Sequence, residues 1–148
     1  MRVGAVCFAT VILFMALSAV AAPAAAMKLE VQLVWGTNAE KSPDAKHKPV
    51  GPELRKKLEG LPFKWSNYFE VKQIIAEVPP SGITNVALSD KCRLEVKSVG
   101  HSKIEVSYFG KGERIETRTQ ALPKGEALIY GGDAPGATSW FVVVRRRD

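Results

Sequence analysis

From Met27 to Trp35 the chain alternates. Leu29, Val31, Leu33 and Trp35 are apolar, and Lys28, Glu30 and Gln32 lie between them. Period-two alternation with β-branched and aromatic residues predicts a strand. "NYFEVKQIIAEV" (67–78) predicts a second, closed by Pro79-Pro80, and "SGITNVALSD" a turn with a short strand. The punctuation then becomes regular. "CRLEVKSV", "KIEVSYF", "ERIETRTQAL", "EALIY" and "SWFVVV" are separated by Gly100-His101-Ser102, Gly110-Lys111-Gly112, Pro123-Lys124-Gly125 and the stretch Gly131 to Gly136. Strands joined by tight glycine turns predict an antiparallel meander. Leu94, Val96, Ile104, Val106 and Tyr108 should point inward. Arg93, Glu95, Lys97, Lys103, Glu105 and Ser107 should point outward.

One segment breaks the β pattern. "PELRKKLEG" has Pro52 at a first helical position and Gly60 as a stop, with Leu54, Leu58 and Leu61 on one side. A helix this short has little stability of its own, so it must dock on a sheet. The expected fold is α+β: one domain, 27–148, mainly an antiparallel β-sheet meander with one short helix packed on it. The loop between the first strand and the helix, "GTNAEKSPDAKHKPVG", is rich in Gly, Pro, Asp, Asn and Ser.

Residues 1–26 stand outside that domain. Arg2 is followed by an apolar run to about Val20 and then by small residues, the layout of a cleaved secretory signal peptide. Ala24-Ala25-Ala26 fits the cleavage rule, which places cleavage after Ala26, with Ala21 and Ala24 as alternative sites. The expected location is therefore exported, periplasmic or secreted, with no stable membrane span after processing. Cys7 comes too early in the run for a lipoprotein signal.

Removal of 1–26 leaves 122 of 148 residues, and 20 basic against 15 acidic residues, a net charge of +5. That permits an acidic partner without requiring one. Cys92 is the one cysteine left, so no internal disulfide can form and stability must come from the core. It shares the predicted face of Leu94 and Val96 and is expected to be a buried structural thiol.

Catalytic signals are sparse. The Gly131–Gly136 stretch lacks a following helix and a phosphate-binding lysine, so it reads as a wide hairpin connection rather than a phosphate cradle. His47 and His101 with Cys92 do not close a zinc site without carboxylates. No metal or cofactor is expected. The strongest surface feature is basic: Lys41, Lys46, Lys48, Arg55, Lys56, Lys57 and Lys64 stand against Asp44, Glu53 and Glu59, with Trp65, Tyr68 and Phe69 close by. Arg145, Arg146 and Arg147 near the chain's end could protect a sheet edge. The expected binding residues are Lys46, His47, Lys48, Arg55, Lys56 and Lys57, with Trp65 and Trp140 as exposed aromatic anchors.

These features predict an exported, non-enzymatic binding or accessory protein of the cell envelope, engaging a protein or polyanion. Export disfavours nucleic acid as the partner. The alternative is a small hydrolase or metal-dependent enzyme using His47 or His101. The oligomeric state is left open.

"LVWGTN", "LPFKWSNYFEV" and "ALIYGG" followed by "WFVVVRR" resemble small exported bacterial proteins of uncharacterised function. "KGEALIYGG" with "WFVVV" is also similar to the strand–Gly-Gly–strand ending of outer-membrane secretin domains. That second resemblance implies a role in envelope assembly. Neither resemblance carries over a catalytic residue.

Overall fold

Strand β1 (Met27–Thr37) lies at the centre of a sheet and is buried along nearly its whole length. The computed structural model describes residues 26–62, 65–131 and 138–148. The expected signal segment up to Ala25, and positions 132–136 of the glycine-rich stretch, lie outside the described residues. After β1 come β2 (Lys48–Pro49), α1 (Pro52–Glu59), β3 (Asn67–Val78), β4 (Ile83–Ala87), β5 (Cys92–Gly100), β6 (Lys103–Gly110), β7 (Glu113–Ala121), β8 (Ala127–Gly131) and β9 (Thr138–Arg146).

The strands form two antiparallel sheets, in the orders β2-β3-β1-β9-β8 and β4-β5-β6-β7. Every strand and the helix predicted from the pattern is present, and the chain is mainly antiparallel β with one short helix. The single meander is corrected. Strands β4 to β7 are one, but β8 and β9 leave it and join β1. The physical reason lies in β9, where Phe141, Val142, Val143 and Val144 are all buried. Such a strand needs apolar cover on both faces, which the middle of a three-layer arrangement supplies.

One face of the five-stranded sheet packs on the four-stranded sheet. Leu29, Val31, Leu33, Val142 and Val144 meet Leu94, Val96, Ile104 and Val106 there. Cys92 is buried in this core, as the alternation predicts. The opposite face carries Val34, Tyr68, Phe141 and Val143, covered by Leu54 and Leu58 of α1. These two sides are called the sandwich side and the helix side below.

Tight turns close the meander. Lys111 (φ 52°) and Gly112 (φ 81°) form a two-residue connection with both residues left-handed, the twist-matched hairpin geometry. His101 (φ 52°) and Ser102 (φ 59°) do the same between β5 and β6. At the other end of that hairpin Cys92 pairs with Gly110, so Cys92 and His101 are far apart.

The arginine tail has a different role from the one its sequence suggests. Strand β9 lies between β1 and β8 and is not an edge. Arg147 Nε lies 3.0 Å from the buried Glu30 carboxylate on β1. Arg146 donates to the Leu122 carbonyl at 3.1 Å and to Asp148 at 2.8 Å.

Candidate ligand-binding site

Helix α1 begins at Pro52, whose fixed φ suits the first helical turn, and it carries Glu53 there and Lys56 and Lys57 in its last turn. Leu54 and Leu58 turn toward the sheet. The polar side of the helix then borders β8 and β9, where Glu53, Lys56, Lys57, Gly125 and Arg145 line an open cleft of about 320 Å³. Lys57 Nζ donates to the Ala127 carbonyl at 3.5 Å. Arg145 Nη1 lies 3.5 Å from Glu53, a side chain that is 85% exposed. Arg145 Nε is buried and has no acceptor among the described residues. Three cations thus face one acid, at a distance and exposure where an ion pair contributes little. The cleft keeps a net positive charge.

On the sandwich side, the end of the five-stranded sheet carries a row of rings. The register places Trp140, Trp35, Phe69 and Pro49 side by side on β9, β1, β3 and β2. Trp35 and Trp140 stack with centroids 6.2 Å apart and planes 27° from parallel. Phe69 lies 6.2 Å from Trp35 on the other side, and His47 meets Trp35 edge-on at 6.4 Å. Trp140 remains 44% exposed, although it lies on the same face as the fully buried Val142 and Val144.

The loop beside this row is held by its own polar groups. Ser42 Oγ and His47 Nδ1 are 2.6 Å apart, and the Lys46 amide donates to Asp44 Oδ1 at 2.9 Å. Asp44 Oδ2 is 3.8 Å from His47 Nε2, beyond hydrogen-bond reach. Loop and sheet enclose a shallow cleft of about 450 Å³ with Phe69 and Pro49 on its inner wall and Glu40, Lys41, Ser42, Asp44 and His47 around it.

The residues expected from sequence therefore do not form one patch. Lys56 and Lys57 meet at the helix-side cleft. Arg55 is engaged elsewhere, with Glu59 at 2.9 Å and the Ser66 carbonyl at 3.3 Å. Lys46, His47 and Lys48 belong to the loop and β2. Trp65, expected as an exposed anchor, is half-buried and packs into the helix-side cluster. Trp140 is exposed as expected. His101 sits alone at an exposed hairpin tip. Sequence reasoning missed Arg145 as a cleft residue and Trp35 and Phe69 as ring partners. For Arg145 a signal existed: it follows Phe141 and Val143 at period two, so it shares their face. For the rings none did, because cross-strand register is not visible in a single chain.

Among the described residues, no three His, Cys, Asp or Glu side chains cluster to hold a metal ion, and no helix is long and apolar enough to cross a membrane. No family model, no curated protein and no solved structure matches the chain.

Proposed function

We propose that the chain is an exported, non-enzymatic binding protein of the cell envelope, and that it holds an anionic group of a polyanionic partner in the cleft between α1 and β9. The observation that carries this reading is the convergence of Lys56, Lys57 and Arg145 against the single exposed carboxylate of Glu53. Arginine and lysine donors so placed form charge-assisted hydrogen bonds to phosphate or carboxylate oxygens, stronger than neutral ones. The net charge of +5 left after residues 1–26 favours approach of an anion. The run from Arg2 to Ala26 supports export.

The test is binding of long-chain polyphosphate, measured by calorimetry at low and high salt. Wild type should bind, and bind less well as salt rises. Lys56→Glu with Lys57→Glu should weaken binding at least about tenfold, roughly 1.4 kcal/mol or more. Unchanged affinity in that double variant sinks the cleft reading. Capture of a protein partner that survives high salt would favour an apolar interface instead.

The 2.6 Å contact between Ser42 and His47 supports a second reading, a hydrolase. Against it, Asp44 is too far to orient the imidazole, and both partners lie in one loop whose backbone they brace. Labelling of Ser42 by a fluorophosphonate probe, abolished in His47→Ala, would establish that reading. Absence of labelling leaves the pair as a loop brace.

A further inference from the structure

We propose that the ring row on the sandwich side, together with the cleft beside it, binds a neutral, extended glycan. This site is independent of the cationic cleft, because the two lie on opposite faces of the same sheet. Alternation along β9 separates them: Trp140 shares a face with Val142 and Val144, and Arg145 shares the other with Phe141 and Val143.

The row runs across strands rather than along one. With about 4.8 Å between neighbouring strands, Pro49 to Trp140 spans three spacings, or about 14 Å. Its most exposed ring is Trp140, backed by the half-buried Trp35 that stacks on it, while Phe69 is buried. Ring faces carry negative potential, so they attract the weakly positive C–H groups on the flat side of a sugar ring. A tryptophan held 44% exposed on an otherwise buried face of a central strand is a large apolar surface left open among the described residues.

The walls select among ligands. A lipid chain would need walls apolar throughout, and here Pro43, Ala45, Pro49 and Phe69 are interleaved with Glu40, Lys41, Ser42, Asp44 and His47. A polyanion would meet the Glu40 and Asp44 carboxylates. Hydroxyl groups can both donate and accept, and a mixed rim of acids, a lysine, a hydroxyl and an imidazole satisfies them. The cleft volume of about 450 Å³ lies within the ordinary range for small-ligand sites.

The experiment is titration of the full processed chain with chitohexaose and cellohexaose, read by tryptophan fluorescence and by calorimetry. A blue shift or quenching with saturable heat is expected, insensitive to salt. Trp140→Ala should weaken binding at least about tenfold, the loss expected of a central aromatic anchor. Trp140 is exposed, so this variant should keep its sheet circular dichroism, and Trp35→Phe should retain part of the affinity. Lys56→Glu with Lys57→Glu should leave glycan binding unchanged, which separates this result from the fate of the anion cleft. No heat with either glycan at millimolar concentration overturns the proposal. So does binding unaffected by Trp140→Ala, or capture of a protein through Trp140 in place of glycan.

Discussion

Leu58→Ala tests how the helix, and with it the cationic cleft, is held. Leu58 is fully buried and Leu54 nearly so, and these two side chains cover Val34, Phe141 and Val143. In a rigid site, Leu→Ala costs about 2–5 kcal/mol, rising with the cavity left behind. The other ties of helix α1 are long polar contacts: Arg55 to the Ser66 carbonyl at 3.3 Å, Lys57 to the Ala127 carbonyl at 3.5 Å, Glu53 to Arg145 at 3.5 Å, and the Tyr68 hydroxyl to the Leu58 carbonyl at 3.5 Å. The helix has eight residues, and its first turn is preceded by Gly51 with no side-chain cap. An isolated helix of that length is not stable. The molecule can therefore relieve the cavity by releasing α1 while the two sheets stay paired, which holds the global loss near the lower end, about 2–3 kcal/mol. With an m-value of about 2 kcal/mol per molar urea, the midpoint should fall by roughly 1–1.5 M. Urea titration followed by far-ultraviolet circular dichroism gives that shift, and native-state hydrogen exchange locates it. The amides of Arg55 to Leu58 should exchange through a local opening, while those of β1 and β9 still require global unfolding. Polyphosphate affinity should fall with helix protection. An unchanged midpoint with protected helix amides would refute the reasoning, because α1 would then be held by something other than its leucines.

Other predictions follow from single contacts. Gly36→Ala should cost about 1–3 kcal/mol in a urea melt, because its Cβ would lie 2.6 Å from a Trp65 ring carbon and 3.0 Å from Phe141. Tyr130→Phe should be neutral or raise stability by up to about 1–2 kcal/mol, since the hydroxyl is buried with no partner among the described residues. Burial pushes Tyr130 and Tyr108 up to about 12 from 10.0 and raises the Cys92 thiol above 9.0, despite the Tyr108 hydrogen bond that lowers it. All three stay neutral in the folded chain where the unfolded chain ionises. Their contribution to stability is therefore complete below about pH 9 and is lost as pH rises toward about 12; denaturant midpoints measured across that range should show the fall. Cys92 should react with a thiol reagent at neutral pH at the rate of unfolding, and a fast reaction of the native protein would contradict its burial.

The strands and their hairpins were legible in sequence because each carries its own local instructions. Alternation in "CRLEVKSV" and "KIEVSYF" fixes which residues turn inward, and Gly112 supplies the left-handed turn. The layering was harder to see. It is encoded in strands apolar on both sides, and a run such as "FVVV" states that it needs two covers without stating which elements supply them. The site follows the same division. Lys56 and Lys57 are legible as cations on a helix, but their meeting with Arg145 depends on where that helix docks. Trp35 and Trp140 are paired only by register, with most of the chain between them.

The bond between Glu30 and Arg147 bears on how the central strands find their alignment. From Phe141 to Val144 strand β9 is apolar on both faces, so its own apolar pattern would tolerate a slide of one position. Charge does not tolerate it. In the native alignment Glu30 lies opposite Arg145 and bonds Arg147. A slide of one residue would turn Arg145 into the space between the sheets and strand the buried Glu30 carboxylate. Glu30 and Arg147 thus act as an alignment key, working as polar residues do in a coiled-coil seam. Neutralising Glu30 should accordingly produce more than one folded species, visible as doubled β9 amide resonances, in addition to any loss of stability.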